Sequence, residues 1–153
     1  MTVEVITGNL LSSDATYIVH QCNCVTTKAA HLALSVFTQF PYANVYSSRK
    51  EKSRMGEIEV RGNGKDKRFV IAMFAQKYPG KSKYSNDTYE IREKAFAECL
   101  RGIEGISGVH SIAFPWQIGC GAAGGDWIRY KQMIDNFAER VEPFIEVTIV
   151  KLP

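Results

Sequence analysis

The stretch "IGCGAAGGDW", residues 118–127, sets four glycines and two alanines between an apolar run, "SIAFPW" (111–116), and a helical pattern, "WIRYKQMIDNFAERV" (127–141). A strand that ends in a turn of bare backbone and feeds a helix offers main-chain N–H groups with little side-chain bulk. The first turn of the helix adds partial positive charge. Glycine reaches positive φ at low cost, so successive amides can turn into one concavity that suits phosphate oxygens. The same composition would also serve as a tether between packed elements, and composition alone does not decide between the two. We read the run as neither a Walker loop, since no lysine follows the glycines, nor a dinucleotide fingerprint. The expected ligand is a phosphate ester held by backbone amides.

Outward from this loop, a second corner has the same design. "IVHQCNCVTTKAAHLALSVFTQFP" (18–41) leaves a strand, passes a turn of small residues and enters a helix. Two such corners facing one cleft would suit a ligand with two phosphates. Asn23, at this corner, has two donors and an acceptor that suit a pair of sugar hydroxyls; it equally reads as an ordinary turn asparagine.

The rest of the chain supplies the frame. Short runs rich in β-branched and aromatic residues predict six strands, at 3–7, 16–22, 57–62, 68–75, 109–114 and 144–152. Ala29, Leu32, Ala33, Val36, Phe37 and Phe40 recur at helical spacing and stop at Pro41. A further short turn or helix fits 42–48. The span 86–103 predicts a second helix capped by Asn86 or Asp87, with Ile91, Ala95, Cys99 and Leu100 on one face. In 127–141 the residues Trp127, Tyr130, Ile134, Phe137 and Val141 form the buried face, with Asp126 as cap. "GNGKDK" (62–67) reads as a tight turn between two antiparallel strands. Strands alternating with helices predict an α/β sandwich with a mixed sheet.

Composition sets bounds on function. The chain has 153 residues, 45% hydrophobic, enough for one buried domain spanning 1–153, and a formal net charge of only +3. Any polyanion binding must therefore be local. The start, "MTVEVITGNL", has no secretory pattern and no run reaches membrane-spanning length, so the expected setting is intracellular, cytoplasmic or nuclear, with no membrane partner. The four cysteines (Cys22, Cys24, Cys99, Cys120) lack the spacing of a zinc knuckle and read as free thiols. No metal and no cofactor are expected.

"VITGNLL" (5–11), the 18–41 segment, "FAQKYPG" (74–80) and "FPWQIGCGAAGGDW" (114–127) together resemble, in order and over nearly the whole chain, the signatures of a macro domain, the ADP-ribose-binding module. The resemblance is greatest to the branch with the yeast-type ADP-ribose 1″-phosphate phosphatase, the terminal ADP-ribose glycohydrolases and the DNA-ADP-ribose hydrolases. It implies a three-layer α/β/α sandwich around a six-stranded mixed sheet, with ADP-ribose at the ends of the central strands. It places Asn9 and Leu10 by the adenine and Asn23 by the distal ribose. Thr27, Ala29, Ala30, His31 and Leu32 would wrap the ligand from one side. Ile118, Gly119, Cys120, Gly121, Ala122, Ala123, Gly124 and Gly125 would wrap it from the other. Ala29 and His31 stand where most relatives have glycines, and a Cβ there limits close approach and positive φ. Ala123 falls at about the place of the aspartate that the lysine-dependent glycohydrolases use.

The resemblance also points to catalytic candidates. His20 matches a histidine of the yeast-type phosphatase and would act as acid or base; the alternative is a core histidine. Lys77 matches the lysine that attacks the anomeric carbon in the glycohydrolases; the alternatives are a phosphate contact or a solvated residue. His31 would touch a phosphate or serve as acid, or else simply start a helix. Asp126 reads as a cap and Cys120 as lining. The segments 47–68, with eight Lys or Arg against four acids, and 77–84, with three lysines and two tyrosines, are either a solvated edge or a nucleic-acid surface. The sequence thus predicts binding of ADP-ribose or a derivative and its hydrolysis, with ADP-ribosylated protein or nucleic acid as further partners. The alternatives are a non-catalytic reader and a nucleic-acid-binding module.

Overall fold

The structure, a computed structural model, describes residues 2–47 and 49–153. The last residue of the turn expected over 42–48 lies outside them. Six strands, β1 (Val5–Thr7), β2 (Tyr17–Asn23), β3 (Ile58–Arg61), β4 (Phe69–Gln76), β5 (Ser111–Pro115) and β6 (Glu146–Lys151), form one sheet in the order β1-β6-β5-β2-β4-β3. All neighbours are parallel except β3 and β4, which pair antiparallel across the tight turn at 62–67. Three helices, α1 (His31–Gln39), α2 (Tyr89–Glu104) and α3 (Trp127–Val141), complete a three-layer α/β/α sandwich.

Side chains alternate across the strands and so divide the core in two. Val19, Ile71, Met73, Ile112, Phe114 and Ile149 pack with Phe96, Leu100, Ile134 and Phe137 of α2 and α3. Ile18, Cys22, Val70, Ala72 and Phe74 pack on the other face with Val36 and Phe37 of α1. A strand covered on both faces needs no polar side, which is why β4 reads FVIAMFAQ and is buried beyond its first residue.

The boundaries shift where local chemistry competes with periodicity. Val3 is buried, but its N–H donates to the Asp135 carboxylate at 2.8 Å, so β1 begins two residues later than expected. The α2 cap is Thr88, whose side chain accepts from Ile91 N, rather than Asn86 or Asp87. Ile91 is half exposed, and the buried stripe instead runs through Arg92, Ala95, Phe96, Cys99, Leu100 and Ile103. Ala29 precedes α1 instead of opening it. Asp126 caps α3 as expected, accepting from Ile128 N.

The two central parallel strands position the site. β2 leads into α1 on one face and its neighbour β5 leads into α3 on the other. Connections that leave adjacent parallel strands in opposite directions open a crevice at their carboxyl ends, the usual place for a ligand in such sheets.

Candidate functional site

A cleft of about 320 Å³ lies at that crevice. Its floor is made by the last residues of β2, β4 and β5, and its two lips are the corners read from the sequence.

The first lip is the segment after β2. Asn23 is buried, and its Oδ1 accepts from Val25 N (3.0 Å), Thr26 N (2.9 Å) and Thr26 Oγ1 (3.1 Å), which folds the chain back at the strand end. Its Nδ2 is the group left to face a ligand. The Asn23 N–H donates to Tyr46 Oη at 2.8 Å, fixing a phenol that burial keeps well above its ordinary pKa. α1 then begins without a side-chain cap, because Ala30 has nothing with which to accept. The N–H groups of His31, Leu32 and Ala33 have no protein acceptor among the described residues. His31 adopts φ 55°, the left-handed conformation that a glycine would adopt freely.

The second lip is the loop 118–125. A Cβ on Gly119 (φ 76°) would meet the Tyr130 ring at 2.6 Å, and one on Gly125 would meet Gly119 O at 2.6 Å. These two glycines let the loop lie flat on Tyr130. Gly125 N closes the loop onto Gly119 O at 3.0 Å, while Gly124 N reaches Gly121 O at 3.1 Å. The N–H groups of Gly119, Gly121, Ala122 and Ala123 have no protein acceptor among the described residues. The last three are consecutive, the pattern of an anion nest. Gly119, Gly121 and Gly124 do spell the dinucleotide spacing. The run follows the fifth strand of a differently ordered sheet, however, so it is not the opening βαβ unit to which that fingerprint belongs.

Electrostatics suit an anion. Lys28 is the one lysine or arginine that lines the cleft, and no carboxylate does so among the described residues. Gln21 Nε2 donates to Gln76 Oε1 (2.8 Å) and Gln76 Nε2 to Tyr78 O (2.9 Å), giving the floor a fixed polar line. Beneath the second lip lies a buried ion pair, Arg92 with Asp87, at 2.6 Å. Burial alone would raise the Asp87 carboxyl. Hydrogen bonds from Arg92 and from the N–H groups of Lys77 and Tyr78 outweigh it and leave the group below its ordinary value.

The sequence-derived candidates divide accordingly. Asn23, Ala30, His31, Leu32 and the run from Ile118 to Ala123 line the cleft. Thr27, Ala29, Gly124 and Gly125 support its lips without lining it. Asn9 and Leu10 are elsewhere: Asn9 caps a 3-10 turn, its Oδ1 accepting from Leu11 N, and borders a second depression, while Leu10 is buried in the core. His20 is enclosed against Phe37 with 1% exposure, and burial lowers its pKa to about 4. It does not line the cleft. Lys77 does not line the cleft; its main chain is tied to Cys24 N and to Asp87. Cys120 lines it, but burial pushes its thiol up to about 12, so it is no thiolate nucleophile.

Gln21, Gln76, Tyr46 and Arg92 went unnoticed in the sequence, and Asp87 read there only as a helix cap. The signal for Gln76 was a polar residue ending an apolar strand. For Arg92 it was helical spacing, which puts a charge on the buried stripe of α2. Among the described residues, no three metal-ligating side chains come together and no helix is long and apolar enough to cross a membrane.

Solved structures with the same chain path identify the fold. The chain is similar to the macrodomain of Thermus aquaticus DarG, with 24% identity, a TM-score of 0.73 and coverage of 99% of this chain and 98% of that one. It is also similar to a protein of unknown function from Bacteroides thetaiotaomicron, with 26% identity, a TM-score of 0.76 and coverage of 99% and 98%. A Trypanosoma brucei macrodomain in complex with ADP-ribose matches at 14% identity and a TM-score of 0.71, over 98% of this chain and 63% of that one. No protein-family model and no curated protein matches the sequence. The fold is that of the macro domains.

Proposed function

We propose that this chain binds ADP-ribose or a close derivative, with the diphosphate between the two lips. The observation that carries the reading is the convergence of main-chain N–H groups from α1 and from Gly121–Ala123, without acceptors among the described residues, on one cleft that no carboxylate among those residues lines. Each N–H can meet a phosphate oxygen that no competing acceptor claims, and the N-terminus of α1 adds its dipole. Asn23 Nδ2 suits a ribose hydroxyl. The likeness to a macrodomain that holds ADP-ribose supports the same ligand. Calorimetry with ADP-ribose, ADP and AMP tests it: ADP-ribose binds most tightly and AMP, with one phosphate, least. A wild type that binds none of them overturns the proposal.

Binding alone accounts for the geometry best, since among the described residues no carboxylate lines the cleft to act as base and His20 does not line it. Such a module would read ADP-ribosylated protein or nucleic acid. A second reading is hydrolysis: loss of phosphate from ADP-ribose 1″-phosphate, or release of ADP-ribose from a macromolecule by water. One observation favours it, the left-handed backbone of His31, a residue of the cleft lining, adopted at a local energetic cost. Phosphate or ADP-ribose release by wild type but not by His31→Ala supports the enzyme. Tight binding without turnover of either substrate leaves the reader.

A further inference from the structure

The Arg92 guanidinium is buried, with 1% exposure, and uses all five of its N–H bonds. Nε and Nη2 fork onto Asp87 at 3.1 and 2.6 Å. Nη1 donates to Gly80 O at 2.8 Å and Ala123 O at 3.3 Å, and Nη2 also to Tyr78 O at 3.2 Å. Asp87 in turn accepts from Lys77 N and Tyr78 N. One side chain therefore joins three segments: the start of α2, the 77–80 turn after β4, and the amide loop 118–125. Gly80 and Ala123 both line the cleft.

We infer that Arg92 is a positioning residue which sets the second lip of the cleft, and with it the aim of the Gly121–Ala123 amides at a bound phosphate; the ligand half of this inference rests on the function proposed above. A buried ion pair gives little net stability, because desolvation offsets the attraction, so its presence calls for a geometric reason. Arginine supplies one. Its planar fork fixes two directions on Asp87 and leaves three more donors aimed at carbonyls, which lysine's single ammonium cannot reproduce. Gly80 and Ala123 come from segments far apart in sequence and share a single donor nitrogen, so that nitrogen couples the 77–80 turn to the glycine loop.

Arg92→Lys tests the inference with two readouts, both taken well below the variant's melting temperature. Hydrogen exchange of the peptide covering 116–126, without ligand, should quicken at least tenfold while β5 and the body of α3 keep wild-type rates. ADP-ribose affinity of the folded variant should fall at least tenfold. A purely structural role would lower the melting temperature and leave both readouts unchanged, and that result overturns the inference. Quickened loop exchange in a protein whose wild type ignores ADP-ribose upholds the staple and overturns the ligand reading instead. Should Arg92→Lys not fold, Asp87→Asn weakens the same fork and carries the same pair of measurements, with unchanged loop exchange and affinity again overturning the inference.

Discussion

Two glycines in one loop have opposite duties. At Gly119 the positive φ and the Tyr130 ring leave no place for a side chain, whereas a Cβ on Gly121 meets nothing within 4 Å. Gly119→Ala should therefore destabilise the protein by about 2 kcal/mol or more, through strain and displaced packing. Gly121→Val should melt like wild type yet lose ADP-ribose binding, because its side chain would stand among the nest amides. Thermal melts paired with calorimetry separate the two. His20 makes a prediction in pH. Its folded pKa of about 4 lies below the ordinary 6.5, so the unfolded chain takes up a proton first, and stability falls as pH drops from 6.5 towards 4. The loss is about 3 kcal/mol by linkage. Asp87, with its depressed carboxyl, adds its loss only at lower pH, below the ordinary carboxylate value of 3.8. Urea unfolding at pH 7 and pH 4.5 should show a steeper drop for wild type than for His20→Leu; equal slopes would contradict the burial argument.

Helix α1 lacks the cap that its neighbours have. Thr88 and Asp126 accept from the first turns of α2 and α3, while Ala30 leaves α1 open towards the cleft. Ala30 already has the extended backbone of a capping residue, so Ala30→Asp should stabilise the protein by about 1 kcal/mol. It should also weaken ADP-ribose binding at least tenfold, since the carboxylate takes the place of the ligand's oxygens. A variant that gains stability and retains affinity would show that this helix end does not hold the ligand. The elements themselves were largely legible in the sequence. Pro41 marked the end of α1, Asp126 the start of α3, and short apolar runs, alternating or clustered, each strand, because these signals are local. What escaped was tertiary: Asp87 reads as a cap until its carboxylate is seen paired with Arg92, and His31 reads as a bar to the glycine-type turn until its φ is known. His20 shows the same gap, since one histidine on a strand faces core or cleft according to packing that no local pattern encodes.

At the scale of the molecule, the sheet order decides where the amides meet. β2 and β5 are adjacent although most of the chain separates them, and their exits to opposite faces bring the two lips together. A ligand that grips both lips should stabilise the whole fold: at a hundred times its dissociation constant the gain is about 2.7 kcal/mol, a melting shift of several degrees. The shift should vanish in Gly121→Val. The same adjacency means that neither half of the polypeptide owns a complete grip. A piece ending before β5 carries one jaw of the vice, and a piece beginning after β4 carries the other, so nucleotide recognition can arise only when the central pair has closed. Two separately expressed halves, mixed, would regain it together, and recognition would then serve as a reporter that β2 and β5 have paired.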